Sequence, residues 1–117
     1  MTTIYELVQK SKANYEHVNI KEIDGGIQVR RKKLKDNDVL PYVKTLLEIA
    51  LKDIIELNEV EGIEKKYSQD ELLDIFLTPQ SGYIGVSCTN RDRLARIISI
   101  LQEAIAIMNY IAGYEIV

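Results

Sequence analysis

The sequence predicts an α+β domain, in which a small antiparallel sheet, made of a hairpin and a third strand, packs with two long helices and the whole is oligomeric. Three observations carry this. Asp24-Gly25-Gly26 separates two short apolar runs, as a hairpin turn does; two long stretches, 39–57 and 91–112, are apolar at helical spacing; and residues 83–88 alternate with period two. With 117 residues, 46% of them hydrophobic and only two prolines and six glycines, the chain matches a single domain spanning 1–117. A chain of this size hides roughly two-thirds of its unfolded surface on folding, enough for one core without disulfides or metal.

The elements follow in order. Thr3 and Glu6 have the spacing of a capping box, and Ile4, Leu7, Val8 and Ser11 then share one face of a short helix ending near Ala13. Val18, Ile20 and Ile23 lead into the glycine turn, and Ile27 and Val29 leave it. The parities of Ile20 and Ile23 disagree, so a bulge or an early break is expected in one strand. Asp36, Asn37 and Asp38 are candidate caps for a helix running from Val39 to Leu57, with Pro41 in its first turn and Gly62 as a stop. Its main stripe is Val39, Val43, Leu46, Leu47, Ala50, Ile54 and Leu57.

Ser68 and Glu71 repeat the capping-box spacing ahead of a short apolar helix that Thr78-Pro79 ends. Ile84, Val86 and Cys88 then point inward from a strand that is expected to join the hairpin as its third. Thr89-Asn90 caps the last helix, which is apolar nearly all round between Leu94 and Ile111 apart from a strip of Arg96, Ser99 and Glu103. Gln102, Glu103 and Asn109 interrupt it too often for a membrane span. One of its apolar faces is left over after intrachain packing, and a twofold dimer is the default way to cover it.

Composition narrows the function. Fifteen basic against eighteen acidic side chains give a net charge of −3, the wrong sign for a general nucleic-acid coat, so any bound anion is held locally. A single cysteine, Cys88, and no recognisable leader at Met1-Thr2-Thr3 point to the cytoplasm. The lone histidine, His17, is remote in sequence from Cys88, and there is no Gly-x-Gly-x-x-Gly, phosphate loop, His-Glu-x-x-His or Cys-x-x-Cys motif. A binding protein is therefore favoured over an enzyme, with no cofactor and no metal.

The richest stretch for binding is Thr89-Asn90-Arg91-Asp92-Arg93. A helix start has free N–H groups and partial positive charge, so arginines there are locally unfavourable unless an anion docks between them. In the plainer reading Asp92 compensates the dipole and pairs with Arg96. Arg30-Arg31-Lys32-Lys33 with Lys35 is the densest positive cluster. Strand alternation puts Arg30 and Lys32 on one face and Arg31 and Lys33 on the other, either as a solvated edge or as a complement to Arg91 and Arg93 across a cleft. Phe76, the one phenylalanine, suits the core or the stacking of a nucleobase, and Tyr83 and Tyr110 carry the same two readings. Cys88 reads as structural, His17 as a surface residue, and Asp70, Glu71 and Asp74 as a solvated face.

The hairpin, the two long helices and the segment Ser81-Gly82-Tyr83-Ile84-Gly85-Val86-Ser87-Cys88-Thr89-Asn90-Arg91-Asp92-Arg93-Leu94 together resemble the first family of Thoeris anti-defence proteins of phages and prophages. The resemblance covers nearly the whole chain. It implies a non-catalytic sponge, a homodimer or higher homo-oligomer, that sequesters the cyclic ADP-ribose isomers released by bacterial TIR proteins; some members also hold cyclic oligonucleotides in a second pocket. It further implies a site of one aromatic stack, one asparagine and several arginines near the dimer interface. Phe76, Asn90, Arg91, Arg93 and Arg30 are the counterparts available here, with Thr89 beside them at the cap. Neither membrane nor DNA is an expected partner. The competing expectation is a small dimeric protein-binding inhibitor or regulator of a host factor, which would use the apolar helix face for its partner and the basic strand for orientation. An enzyme cleaving a phosphodiester ranks third, since no acid/base pair or metal-ligand spacing is recognisable.

Overall fold

The computed structural model describes residues 2–57, 68, 70–72, 76, 85–86 and 91–112. Helix α1 spans Ile4–Asn14, α2 spans Asp36–Leu57 and α3 spans Arg91–Ala112; strands β1 to β5 are Thr2–Thr3, Ile20–Ile23, Gly26–Val29, Lys32–Lys35 and Gly85–Val86. A 3-10 turn at Tyr15–His17 joins α1 to β2. The result is the expected α+β arrangement, an antiparallel sheet beside two long helices.

Helix α1 forms where the apolar spacing places it. Ile4, Leu7, Val8 and Ser11 are all buried, and Ser11 Oγ donates to the Leu7 carbonyl at 2.8 Å, which satisfies its hydroxyl inside the core. In α2 the three acids and amides expected as caps lie inside the first turn instead, where Asp36 and Asp38 complement the positive end of the helix dipole. Pro41 therefore falls in the second turn and removes the amide that would serve the Asn37 carbonyl, which water reaches because Asn37 is exposed. Val39, Val43, Leu46, Leu47, Ala50 and Ile54 are buried as the stripe requires.

The sheet corrects two expectations. Its third strand is Lys32–Lys35, not the segment 83–88: β2, β3 and β4 form a three-stranded meander, while Gly85–Val86 pairs with Thr2–Thr3 in a separate two-stranded sheet. The basic cluster hid this strand, because in Lys32-Lys33-Leu34-Lys35 only Leu34 is buried, opposite Ile27. The expected bulge is also absent from the β2–β3 ladder, where Ile20 faces Val29 and Ile23 faces Gly26 without interruption. The parity conflict is settled because Ile23 lies on the outer face and stays half-buried there. Arg30 and Arg31 are not strand residues but the two-residue turn between Val29 and Lys32.

Helix α3 packs on both α1 and α2, and the inner face of the sheet, with Ile27, Val29 and Leu34, covers α2. By length and composition alone, Arg91–Ile111 is long and apolar enough to cross a membrane, in spite of its interruptions. In this fold Ile97, Leu101 and every residue from Ala104 to Met108 are buried against protein. The large apolar side chains that α3 leaves exposed are Tyr110 and Ile111, at its carboxy end. The apolar face available for self-association is thus narrower than the sequence suggests. Phe76 and Leu72 join the same core, and the Ser68–Glu71 capping box forms reciprocally: the Glu71 amide donates to Ser68 Oγ at 3.2 Å and the Ser68 amide to Glu71 Oε1 at 3.3 Å.

Two adjacent glycines separate conformational need from close approach. Gly25 holds φ at +74° with open space where a Cβ would stand, whereas a Cβ on Gly26 would collide with the Leu34 carbonyl of the neighbouring strand. Gly25→Ala should cost about 1 kcal/mol through left-handed strain, and Gly26→Ala about 2–4 kcal/mol because backbone has to move. Urea denaturation of the two variants checks this, and a Gly26→Ala chain as stable as Gly25→Ala would show that the strands can part without cost.

Candidate functional site at the α2–α3 seam

Helix α3 is 22 residues long, its dipole puts partial positive charge at its start, and Arg91 stands exposed there. Thr89, Asn90 and Cys88, expected at this cap, lie outside the described residues, as do Tyr83 and Asp74. Arg93 is turned along the helix instead of outward, and its Nη2 meets Glu56 Oε2 at 3.0 Å. Arg96 does not pair with Asp92. Its Nε lies 3.4 Å from Oδ2 of Asp53, a buried carboxylate oxygen that has no hydrogen-bond partner among the described residues. Two arginines of α3 thus hold it to α2, and Arg91 is exposed with no partner among the described residues.

A third tie lies further along the same stripe. Tyr42 Oη donates to Glu103 Oε2 at 2.7 Å, Arg30 Nε approaches Glu103 Oε1 at 3.6 Å, and Lys32 Nζ sits 4.3 Å above the Tyr42 ring. Tyr42, Asp53 and Glu56 advance along α2 while Glu103, Arg96 and Arg93 retreat along α3, so the helices run antiparallel with a polar stripe beside their apolar seam. Burial pushes the Tyr42 phenol well above its ordinary value of 10.0, and the hydrogen bond to Glu103 and the charge of that carboxylate add to the effect, while Arg30 acts in the opposite sense. Glu103 is thus engaged on both oxygens and Tyr42 is held protonated. The pair positions helices and offers no free base.

Among the described residues, the structure does not bring the expected arginines together. Arg30 meets Glu103, which lies about 15 Å along the α3 axis from Arg93 at the helical rise of 1.5 Å per residue. One cleft lined by both basic groups is not formed within the chain. Phe76 is fully buried and presents no ring face to a nucleobase, so of its two readings the core placement is the one observed. His17 and Asp70 are exposed, as expected of surface residues.

No protein family, curated protein or solved structure matches this chain. The reading of the site rests on its own chemistry.

Sequence reasoning placed Glu103 on a polar strip and missed its partners. Its signal was a lone carboxylate directly before the unbroken apolar run 104–108, which calls for a donor across the seam. Because the folded chain raises the Tyr42 value, this contact contributes its full stability below about pH 10 and loses it as pH rises further. An ultraviolet phenolate titration should find one of the seven tyrosines ionising later than the rest. That late step should vanish in Tyr42→Phe, together with about 1 kcal/mol of stability at neutral pH. A wild-type curve in which all the tyrosines titrate together would refute the buried contact.

Proposed function

We propose that this chain is a phage or prophage anti-defence protein that binds and sequesters a cyclic ADP-ribose isomer in the host cytoplasm without cleaving it, as a homodimer or higher homo-oligomer. The observation that supports this most is Arg91, exposed at the positive end of a 22-residue helix dipole, an arrangement suited to a pyrophosphate. The α+β layout with two long helices agrees with the resemblance drawn from the sequence. Glu103 and Tyr42 are bound to each other, which suits holding a ligand more than transforming it. The aromatic contact falls to a tyrosine, since Phe76 is enclosed.

A second reading, a small dimeric inhibitor or regulator that binds a host protein, draws on the exposed Leu40, Ile49, Tyr110 and Ile111. Leu40 and Ile49 lie nine positions apart on α2, on opposite sides of the helix, and make no continuous patch. That observation favours the nucleotide.

Arg91→Ala should weaken binding of a cyclic ADP-ribose isomer by about 1.5–3 kcal/mol, roughly ten- to a hundredfold, and leave folding unchanged. Arg93→Ala is the less informative variant, because it also removes the contact with Glu56. Calorimetry measures the affinity, and chromatography after heating the complex should return the intact nucleotide. Equal affinity of wild type and Arg91→Ala would remove the helix start from the site, and a cleaved nucleotide would make the protein an enzyme.

A further inference from the structure

Between the 3-10 turn, β2 and the carboxy-terminal part of α3 lies an open cavity of about 300 Å³, lined by Tyr15, Val18, Ile20, Ala106, Asn109 and Tyr110. This is the lower end of the range for small-molecule sites. Val18 and Ala106 are buried and form an apolar floor, Tyr15 and Ile20 are half-buried, and Tyr110 is 44% exposed. Asn109 Nδ2 donates to the Ile105 carbonyl at 3.0 Å, which fixes the carboxamide and leaves its oxygen and second N–H uncommitted among the described residues. Two phenol rings, an aliphatic floor and one amide are what a planar heteroaromatic ring requires of a protein: faces to lie against and one hydrogen-bonding edge.

A basic turn adjoins the cavity. The Arg30 amide donates at 2.8 Å to the carbonyl of Asn19, which sits between Val18 and Ile20 of the lining. Arg30 has φ of +56°, a left-handed conformation that an arginine adopts only under constraint. It is kept there although glycine is the natural occupant of the first position of such a turn. Its side chain remains 53% exposed while touching Glu103, and Arg31 beside it is exposed with no partner among the described residues. Glu103 is the acidic group nearest this turn that the contacts identify. Arg30, Arg31 and Lys32 together outweigh its single charge.

We propose that the cavity and the Arg30–Arg31 turn form a binding site for a nucleoside monophosphate. The base lies against Tyr15 and Tyr110 with its edge on Asn109, and the phosphate rests on Arg31 and the exposed side of Arg30. A volume of about 300 Å³ takes the base and ribose and leaves the phosphate outside, on the turn. Asn109 lies about 27 Å along α3 from Arg91, too far for one mononucleotide to reach both, so this site is separate from the helix start and does not depend on it.

The test is a titration of the full chain with adenosine 5′-monophosphate, followed by NMR at the Asn109 carboxamide and the tyrosine rings, with adenosine and inorganic phosphate as reference probes. Saturable shifts at Asn109, Tyr15 and Tyr110 are expected, with adenosine weaker by about tenfold or more because it lacks the charge-assisted contact. Tyr110→Ala and Arg31→Ala, both at exposed positions, should each weaken the monophosphate about tenfold or more, the first through lost stacking. The shifts at Asn109, Tyr15 and Tyr110 should titrate in Arg91→Ala as they do in wild type, whatever the ligand does at the helix start, which keeps the two sites distinguishable. The assignment is overturned by the absence of saturable shifts at Asn109 and Tyr110 at millimolar ligand, by undiminished binding in both variants, or by adenosine binding as tightly as its monophosphate.

Discussion

The antiparallel contact between α2 and α3 is the constraint on which the rest of the molecule depends. Its apolar part joins Val43, Leu47, Ala50 and Ile54 to the common core with Ile97, Leu101 and Ile105. Apolar surfaces attract without direction, and two such helices could slide by a turn at little cost. The polar stripe removes that freedom. Glu56 with Arg93, Asp53 with Arg96 and Tyr42 with Glu103 all come within ion-pair or hydrogen-bond distance in one register. A shift by one turn would strand the Asp53 carboxylate in the interior, and an uncompensated buried charge costs several kcal/mol. The pairs matter less for their attraction than for what their loss would leave behind.

From this seam the placement of the sheet follows. Tyr42 and Glu103 hold the Arg30 turn from one side through Arg30 and Lys32, and the Asn19 carbonyl holds it from the other. The Asp36 amide donates to the Gly25 carbonyl at 3.0 Å and ties the opposite end of the meander to the start of α2. A three-stranded sheet of four-residue strands is marginal alone, and these attachments at both ends make it part of the domain. They also define which cations remain for ligands. Arg93 and Arg96 are structural, Arg30 is shared, and Arg31 and Arg91 are exposed with no partner among the described residues.

The charge of this acidic protein is unevenly distributed. Lys21, Arg30, Arg31, Lys32, Lys33 and Lys35 all fall within the meander, with Glu22 and Asp24 as its acids, so the sheet is positive and the remainder of the chain strongly negative. Long polyanions would meet that negative remainder within a Debye length, whereas a compact phosphate sees little beyond the local cations.

The sequence by itself determined the elements whose cause is local. The apolar spacings of α1, α2 and α3, the glycine turn at Gly25 and the Ser68–Glu71 box all form where chemistry over a few residues puts them. It also placed Arg91 at a helix start. Tertiary structure alone decided which strand completes the sheet, because Lys32–Lys35 carries one apolar residue and becomes a strand through pairing with β3 and the burial of Leu34. The turn before it has no glycine, proline or asparagine to announce it, and Arg30 adopts its left-handed backbone because contacts from Asn19 and Glu103 hold it there. The partners of Arg93, Arg96 and Glu103 belong to the same class. Two helices separated by more than thirty residues meet in a register that depends on packing between them, and no pattern within either helix encodes which charge stands opposite which.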